Sequence, residues 1–252
     1  MLLRRPFVRG LAAVLLLAAI LGGGWLWARD SQFVRVERVR VTGATTSEEA
    51  SIRAALEAAA LDMSTLHVRR DVLDEAVASY PSVAGLHVKA DFPHDLAIEV
   101  LERRPVAALE IHGRRVPVSS GGIVLTGVEA DRNLPAIRRD AAPAGGRVDD
   151  ARTRAAVAVA AAAPPALLAR SDRLWWGPKG LTADLSDGPP LVFGTGDDAG
   201  LKWAGAARVL AEPSAAGATY LDLRVPGRVA AGGIGPVPQE APPEEPSGVP
   251  QP

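Results

Sequence analysis

Four histidines, His67, His87, His94 and His112, are the side chains in this sequence best suited to ligate a metal or to move a proton near neutral pH. None has a second ligand-type residue four positions along a predicted helix. His87 and His94 flank a predicted hairpin turn that could bring their rings together, but surface histidines on strands and loops account for them without a metal. Gly194-Thr195-Gly196 begins like a phosphate loop, yet no Gly-Lys-Ser/Thr follows, so it reads as a turn before a helix capped at Asp198. Ser186-Asp187-Gly188 resembles one element of serine acyl-enzymes, and the Ser-x-x-Lys partner it would need occurs nowhere in the chain. The acidic pairs Glu48-Glu49, Asp149-Asp150 and Asp197-Asp198 fall at predicted helix starts, where carboxylates cap free amides and complement the helix dipole. Cysteine is absent, which removes thiolate nucleophiles, cysteine metal sites and disulfides together. The expectation is therefore a protein that is not an enzyme, with no catalytic, cofactor-binding or metal-binding residues and no small-molecule substrate. Trp175-Trp176 reads as core with partial cover, since adjacent strand residues face opposite ways.

What positions nothing catalytic must position something else. The 252 residues suffice for one or two compact domains. A formal net charge of -1 supplies no basic field to hold a polyanion, so nucleic acid is not an expected partner. Only Lys89, Lys179 and Lys202 among the 28 basic residues are lysine, a coding bias that carries no function.

The amino terminus carries the strongest single signal. Gly10 to Ala28 contains no charged residue, and at the rise of an α-helix such a stretch spans about 28 Å, enough to cross a bilayer. Arg4, Arg5 and Arg9 precede it without an acid, so the positive-inside rule keeps residues 1–9 in the cytoplasm and sends the bulk of the chain across. Trp25 and Trp27 fall where interfacial aromatics belong. The alternative is a cleaved signal peptide leaving an exported, soluble protein-binding module. The bulky Leu26-Trp27-Ala28 exit and the length of the apolar run favour the retained anchor.

Beyond the anchor, Phe33 to Thr42 alternates as a half-buried strand with a phase slip near Glu37 and Arg38, and Gly43 ends it. Thr46 and Glu49 form a T-x-x-E capping box for a helix to about Ala60, with Ile52 and Leu56 on one face. A second short helix from about Asp71 turns Val72, Leu73, Ala76 and Val77 inward and stops at Tyr80-Pro81. Strands follow at Val83 to Ala90 and Leu96 to Glu102, with residues 91–95 as the turn. The expected core of this unit is Val39, Val41, Ile52, Leu56, Leu73, Val77, Leu86, Val88, Ile98 and Val100. From Pro105 the pattern is short strands around Leu109, Val116, Val124 and Ile137, a helix capped by Asp149 or Asp150 up to Pro164-Pro165, strands at Leu174 to Trp176, Leu181 to Leu185 and Leu191 to Gly194, a helix from Asp198 to Ala211, and a last strand at Thr219 to Val225. Residues from Gly235 onward are rich in proline and glutamate and read as a disordered tail.

The strand-helix-helix-strand-strand unit resembles a POTRA domain, and the chain up to about Gly232 is similar to the bacterial cell-division family FtsQ/DivIB. The resemblance rests on Val-Glu-x-Val-x-Val-x-Gly at Val36 to Gly43, Tyr80-Pro81-Ser82-Val83, Phe92 to Leu96, Glu102 to Ala107, Lys202-Trp203-Ala204 and Tyr220 to Arg228. It implies an α+β fold with a transmembrane helix at 10–28, a POTRA domain at 33–104, a mixed α/β "β domain" at 105–233 with an exposed C-terminal edge strand, and a tail at 234–252. It further implies a divisome scaffold in the cell membrane at the septum, single-pass with its amino terminus cytoplasmic, which holds FtsB/FtsL-type partners and, through them, the septal peptidoglycan synthases. The chain departs from the family at Ser119-Ser120, where an aspartate is common, and at Val225, where an aromatic is common. A last strand with Tyr220, Asp222 and Arg224 on a polar face and Leu221, Leu223 and Val225 on an apolar one suits completion by a partner strand. The expected partner-binding residues are Lys202, Trp203, Tyr220, Leu221, Asp222, Leu223, Arg224, Val225, Arg228, Val229 and Ala230.

Overall fold

The structure, a computed structural model, describes residues 5–29, 31–213 and 217–233. The proline- and glutamate-rich tail predicted from Gly235 lies outside the described residues. The chain divides into two units: residues 1–105 with 116–119 and 123–130, and residues 106–115 and 120–122 with 131–252.

The first unit begins with α1 (Arg5–Arg29), a 25-residue helix. Its side chains are described at Val14–Trp25 and Trp27, and Val14, Leu15, Leu16, Leu17, Ile20, Leu21, Trp25 and Trp27 are all exposed. Over the residues whose side chains are described, which in α1 are 14–25 and 27, no helix is long and apolar enough to cross a membrane. Next come a one-turn 3-10 helix at Gln32–Val34 and strand β1 (Arg38–Thr42). The predicted strand from Phe33 is thus shorter, because Arg35 to Glu37 is held by a bridge to Ser64 and by the Val36 amide donating to the Met63 carbonyl at 3.1 Å. The phase slip is present: Val34 and Val36 are buried, then Val41, with Val39 packed against the same core.

Helices α2 (Glu49–Leu61) and α3 (Arg70–Ala76) follow, then β2 (Val83–Asp91) and β3 (Asp95–Glu102). The sheet order is β1-β3-β2, with β1 parallel and β2 antiparallel to the central β3. Ile52, Leu56, Leu73, Leu96 and Ile98 are fully buried between helices and sheet. Every core residue read from the sequence belongs to this cluster, with Val39, Leu86 and Val88 at its partly buried margin. The predicted capping box does not form. The Glu49 side chain pairs instead with Arg53, and no side chain caps α2. The amides of Thr45 and Thr46 donate to the Glu102 carboxylate at 2.8 and 3.3 Å, so the end of β3 takes the acceptor role assigned to the Glu49 side chain, while the Glu49 amide donates to the Thr46 carbonyl at 3.0 Å. Gly43 has φ +86, and a Cβ there would collide with the Val100 carbonyl, which explains why glycine ends β1.

An eight-stranded sheet, all of it in the second unit except Pro105 of β4 and residues 116–119 of β5, runs in the order β11-β10-β9-β8-β7-β6-β4-β5. The strands are β4 (Pro105–Ile111), β5 (Arg114–Ser119), β6 (Ala136–Arg139), β7 (Ser171–Gly177), β8 (Gly180–Leu185), β9 (Leu191–Gly194), β10 (Tyr220–Asp222) and β11 (Ala230–Gly232). Val124 makes only an isolated bridge to Val118, so the strand expected around it is absent. Helix α4 (Ala151–Ala161) is capped by Asp150, whose carboxylate accepts from the Thr153 amide at 2.7 Å. Burial raises the Asp150 pKa, but the Thr153 hydrogen bonds and the Arg139 guanidinium outweigh it and leave the carboxyl below its ordinary range. A short helix, α5 (Pro165–Leu168), starts within the Pro-Pro pair, and α6 (Ala199–Leu210) packs beside α4. Trp203 on α6 donates its indole N–H to the Val159 carbonyl of α4 at 2.8 Å.

Replacing Ile98 by aspartate puts an unpaired charge at the centre of the first unit's sheet. That costs several kcal/mol against a total stability of about 5–15 kcal/mol. The expected outcome in a thermal melt is loss of the first unit's transition, and an unchanged melt would mean that the residue does not lie in the core.

Candidate functional site

The chain past α6 builds the edge of the second unit's sheet. β10 pairs parallel to β9 through Leu221 opposite Leu191 and Asp222 opposite Val192, and antiparallel to β11 through Tyr220 opposite Gly232, Leu221 opposite Ala231 and Asp222 opposite Ala230. The Leu221 and Leu223 amides donate inward, to the Pro190 carbonyl at 2.9 Å and the Val192 carbonyl at 2.8 Å. Both side chains are buried against the core.

The sequence placed the sheet edge on a strand from Thr219 to Val225. In the structure β10 stops at Asp222 and is interior, because Val225-Pro226-Gly227-Arg228 turns the chain back and β11 closes on it. The Arg228 amide donates to the Val225 carbonyl at 3.1 Å and Gly227 has φ +76. Proline second and glycine third is the signature of a type II turn, the one local signal that announces the extra strand. Val225, past the end of β10, is exposed in the turn rather than on the predicted apolar face. Among the described residues β11 is paired on one side only, so the outer backbone groups of Ala230–Gly232 are the open edge.

The eleven residues expected to touch a partner fall into three groups. Lys202 and Trp203 are 3% and 1% exposed and do not reach the surface. Lys202 Nζ donates to the carbonyls of Phe193 at 2.9 Å and Thr195 at 3.1 Å, and Trp203 lies against Phe193 with ring centroids 4.9 Å apart. They fix the end of β9, against which β10 is laid. Leu221 and Leu223 are likewise core. Tyr220, Asp222, Arg224, Val225, Arg228, Val229 and Ala230 form the partly or fully exposed rim of the hairpin.

On that rim the Tyr220 ring lies across the neighbouring strand where a Cβ on Gly232 would collide with it, and Lys179 Nζ sits 4.1 Å from the ring centroid. Asp222 accepts from the Arg224 guanidinium at 2.7–3.0 Å. This hydrogen bond and charge hold the Asp222 carboxyl below its ordinary range against the opposing effect of partial burial, and raise the Arg224 pKa. An ordered aromatic with a cation over it and a fixed ion pair, beside unpaired strand backbone, suits binding of an extended segment. Sequence reasoning missed Ala231 and Gly232, since Ala-Ala-Gly carries no apolar alternation.

The residues weighed for chemistry are dispersed. His87 sits in the β2–β3 ladder opposite Glu99, and His94 Nδ1 lies 3.0 Å from the Arg35 carbonyl. Among the described residues no group of three His, Cys, Asp or Glu could hold a metal ion. Asp187 is paired with Arg170 at 2.7 Å. Ser119 Oγ accepts from the Ile123 amide at 3.2 Å. Trp175 and Trp176, read from the sequence as core with partial cover, are both exposed, at 39% and 37%, each bonded through its indole N–H, to Asp184 at 3.0 Å and to the Arg152 carbonyl at 3.2 Å.

Residues 34–103 match the POTRA domain, FtsQ-type. The chain is 29% identical to the cell division protein FtsQ of Streptomyces venezuelae over 214 residues, which is 82% of this chain and 77% of that protein. It is 28% identical to FtsQ of Streptomyces collinus over 243 residues, 90% of this chain and 89% of that one. Against FtsQ of Anaeromyxobacter sp. the identity is 28% over 146 residues, 54% of this chain and 47% of that protein.

Leu223→Pro removes the amide bonded to Val192 and the buried leucine together, at a cost of about 3 kcal/mol or more. The melting temperature of the second unit is expected to fall by roughly 6–12 °C. A melt within a degree of the parent would place β10 outside the ladder.

Proposed function

We propose that this chain, which belongs to the FtsQ/DivIB family of cell-division proteins, works as a non-catalytic scaffold of the division machinery, held in the cell membrane by α1 and binding FtsB/FtsL-type partners by strand addition at β11. The observation that carries this reading is the one-sided pairing of β11 among the described residues, beside a rim on which Tyr220 and the Asp222–Arg224 pair are already held. Unpaired amides and carbonyls give a partner strand its affinity, and the neighbouring Tyr220, Arg224 and Arg228 side chains give it selectivity. Ordered side chains lose little entropy when a partner docks, which leaves more of the contact energy as affinity. Through such partners the protein would be linked to septal peptidoglycan synthesis.

The anchor is supported by α1. A helix whose consecutive side chains Val14 to Leu17 are apolar and exposed shows its hydrophobic surface on every side, a pattern that suits lipid and not water. With Arg4, Arg5 and Arg9 at its amino-terminal end, the chain after Arg29 would lie outside the cytoplasm.

Two outcomes are expected. Proline placed at Ala230 and at Ala231, one at a time, removes a donor from the inner or the outer side of β11. Whichever variant keeps the parental melting curve should lose about tenfold or more of its FtsB-type binding in a pull-down from native membranes. Parental binding by a folded variant would move recognition off this edge. The full chain should also stay in the membrane pellet after carbonate washing. Release into the supernatant with a new amino terminus near Ala28 would favour the cleaved, soluble module instead.

A further inference from the structure

We infer that the end of the first unit nearest α1 rests on the membrane surface, with Phe33, Leu66 and Phe92 inserted at the boundary between headgroups and acyl chains. The inference rests on the anchored reading of α1. Three segments far apart in sequence meet at Thr65. Its amide donates to the Val34 carbonyl at 2.8 Å, and its hydroxyl, 3.2 Å from the same oxygen, lies 2.9 Å from the Pro93 carbonyl. The Glu37 and Arg38 amides donate to the His94 carbonyl at 2.9 and 3.2 Å, and the Val36 amide to the Met63 carbonyl, which locks the same three segments a second time.

Val34 and Thr65 are buried, yet the residue beside each of the three joined positions is a large apolar one facing solvent. Phe33 is 67% exposed, Leu66 40% and Phe92 71%. Scattered exposed hydrophobics need no explanation, but three carried to one place by a hydrogen-bonded junction make a patch. Leu61, also exposed, borders the groove that Ser31, Arg35 and Arg69 line at the same end.

Chain connectivity selects lipid as the occupant. Phe33 follows Arg29, the last residue of α1, by four positions. A fully extended chain of that length covers at most about 14 Å. An anchored helix therefore holds this end at the bilayer interface, where aromatic and aliphatic side chains insert by roughly 5–10 Å. The local charges permit it: Asp62 is paired with Arg69 at 3.2 Å and Asp91 with Lys89 at 2.8 Å, so two of the carboxylates are offset before they meet anionic lipid.

The chain has no cysteine, so single cysteines report unambiguously. F33C, L66C, F92C, R104C and A18C, each in the full chain, are labelled with an environment-sensitive fluorophore and reconstituted in mixed phosphatidylethanolamine and phosphatidylglycerol vesicles. Lipids bearing a nitroxide near the headgroup end of the acyl chain should quench the labels at 33, 66 and 92 by about twofold or more over that at 104, as expected for insertion at the boundary. Quenching at 33 alone, or equal values at 66, 92 and 104 with the label at 18 quenched by a nitroxide at the acyl-chain end, would overturn the inference and leave the anchor standing. No quenching at 18 by the deep nitroxide would overturn the anchored reading itself, and the inference with it.

Discussion

β10 is three residues long, and β11, the last described strand, is laid against it. The Leu221 amide and, one residue past the strand, the Leu223 amide bond to Pro190 and Val192, both leucines join the core, and the outer side of β10 is taken by β11. A strand that short has little pairing energy of its own and depends on the rigidity of what it is laid against. That rigidity comes from β9, whose end is fixed by buried Lys202 on two carbonyls and by Phe193 against Trp203. A buried ammonium is costly unless its protons find acceptors, and here both carbonyls belong to the stretch that must stay in place. On the proposed reading, Lys202 and Trp203 would bear on recognition through the position of the edge and not by contact with whatever occupies it.

The first unit obeys the same rule. β3 is paired on both sides and holds Ile98 at the centre of the core, while β1 and β2 are the margins of the sheet. The end of β3 also supplies Glu102, which satisfies the amides ahead of α2. One strand therefore fixes both the sheet and the start of the first helix, and the junction at Thr65 closes the opposite end.

Periodicity made the first unit legible. The slip from Val34 and Val36 to Val39 and Val41, the helical spacing of Ile52 and Leu56, and the alternation in β3 each depend on burial of one face, and burial is what sequence patterns record. The capping box misled because Thr46 and Glu49 have the right spacing but a better acceptor, Glu102, arrives from 53 residues beyond Glu49. In the second unit β11 was illegible in its own residues, since Ala-Ala-Gly has no pattern, although the turn at Pro226-Gly227 implied a return. The burial of Lys202 and Trp203 was illegible for a related reason. Helical spacing shows that a face exists, not which face a sheet will cover, and a lysine suggests surface unless carbonyls await it inside.

The central claim is that partners add to the β11 edge, and hydrogen exchange of the full chain in membranes, with and without FtsB/FtsL-type partners, tests it most directly. Strand addition pairs amides that were open to water, so exchange should slow at residues 229–233 on binding while β9 and β10, already paired, change little. Protection that appears on the first unit instead, with residues 229–233 unchanged, would contradict the account.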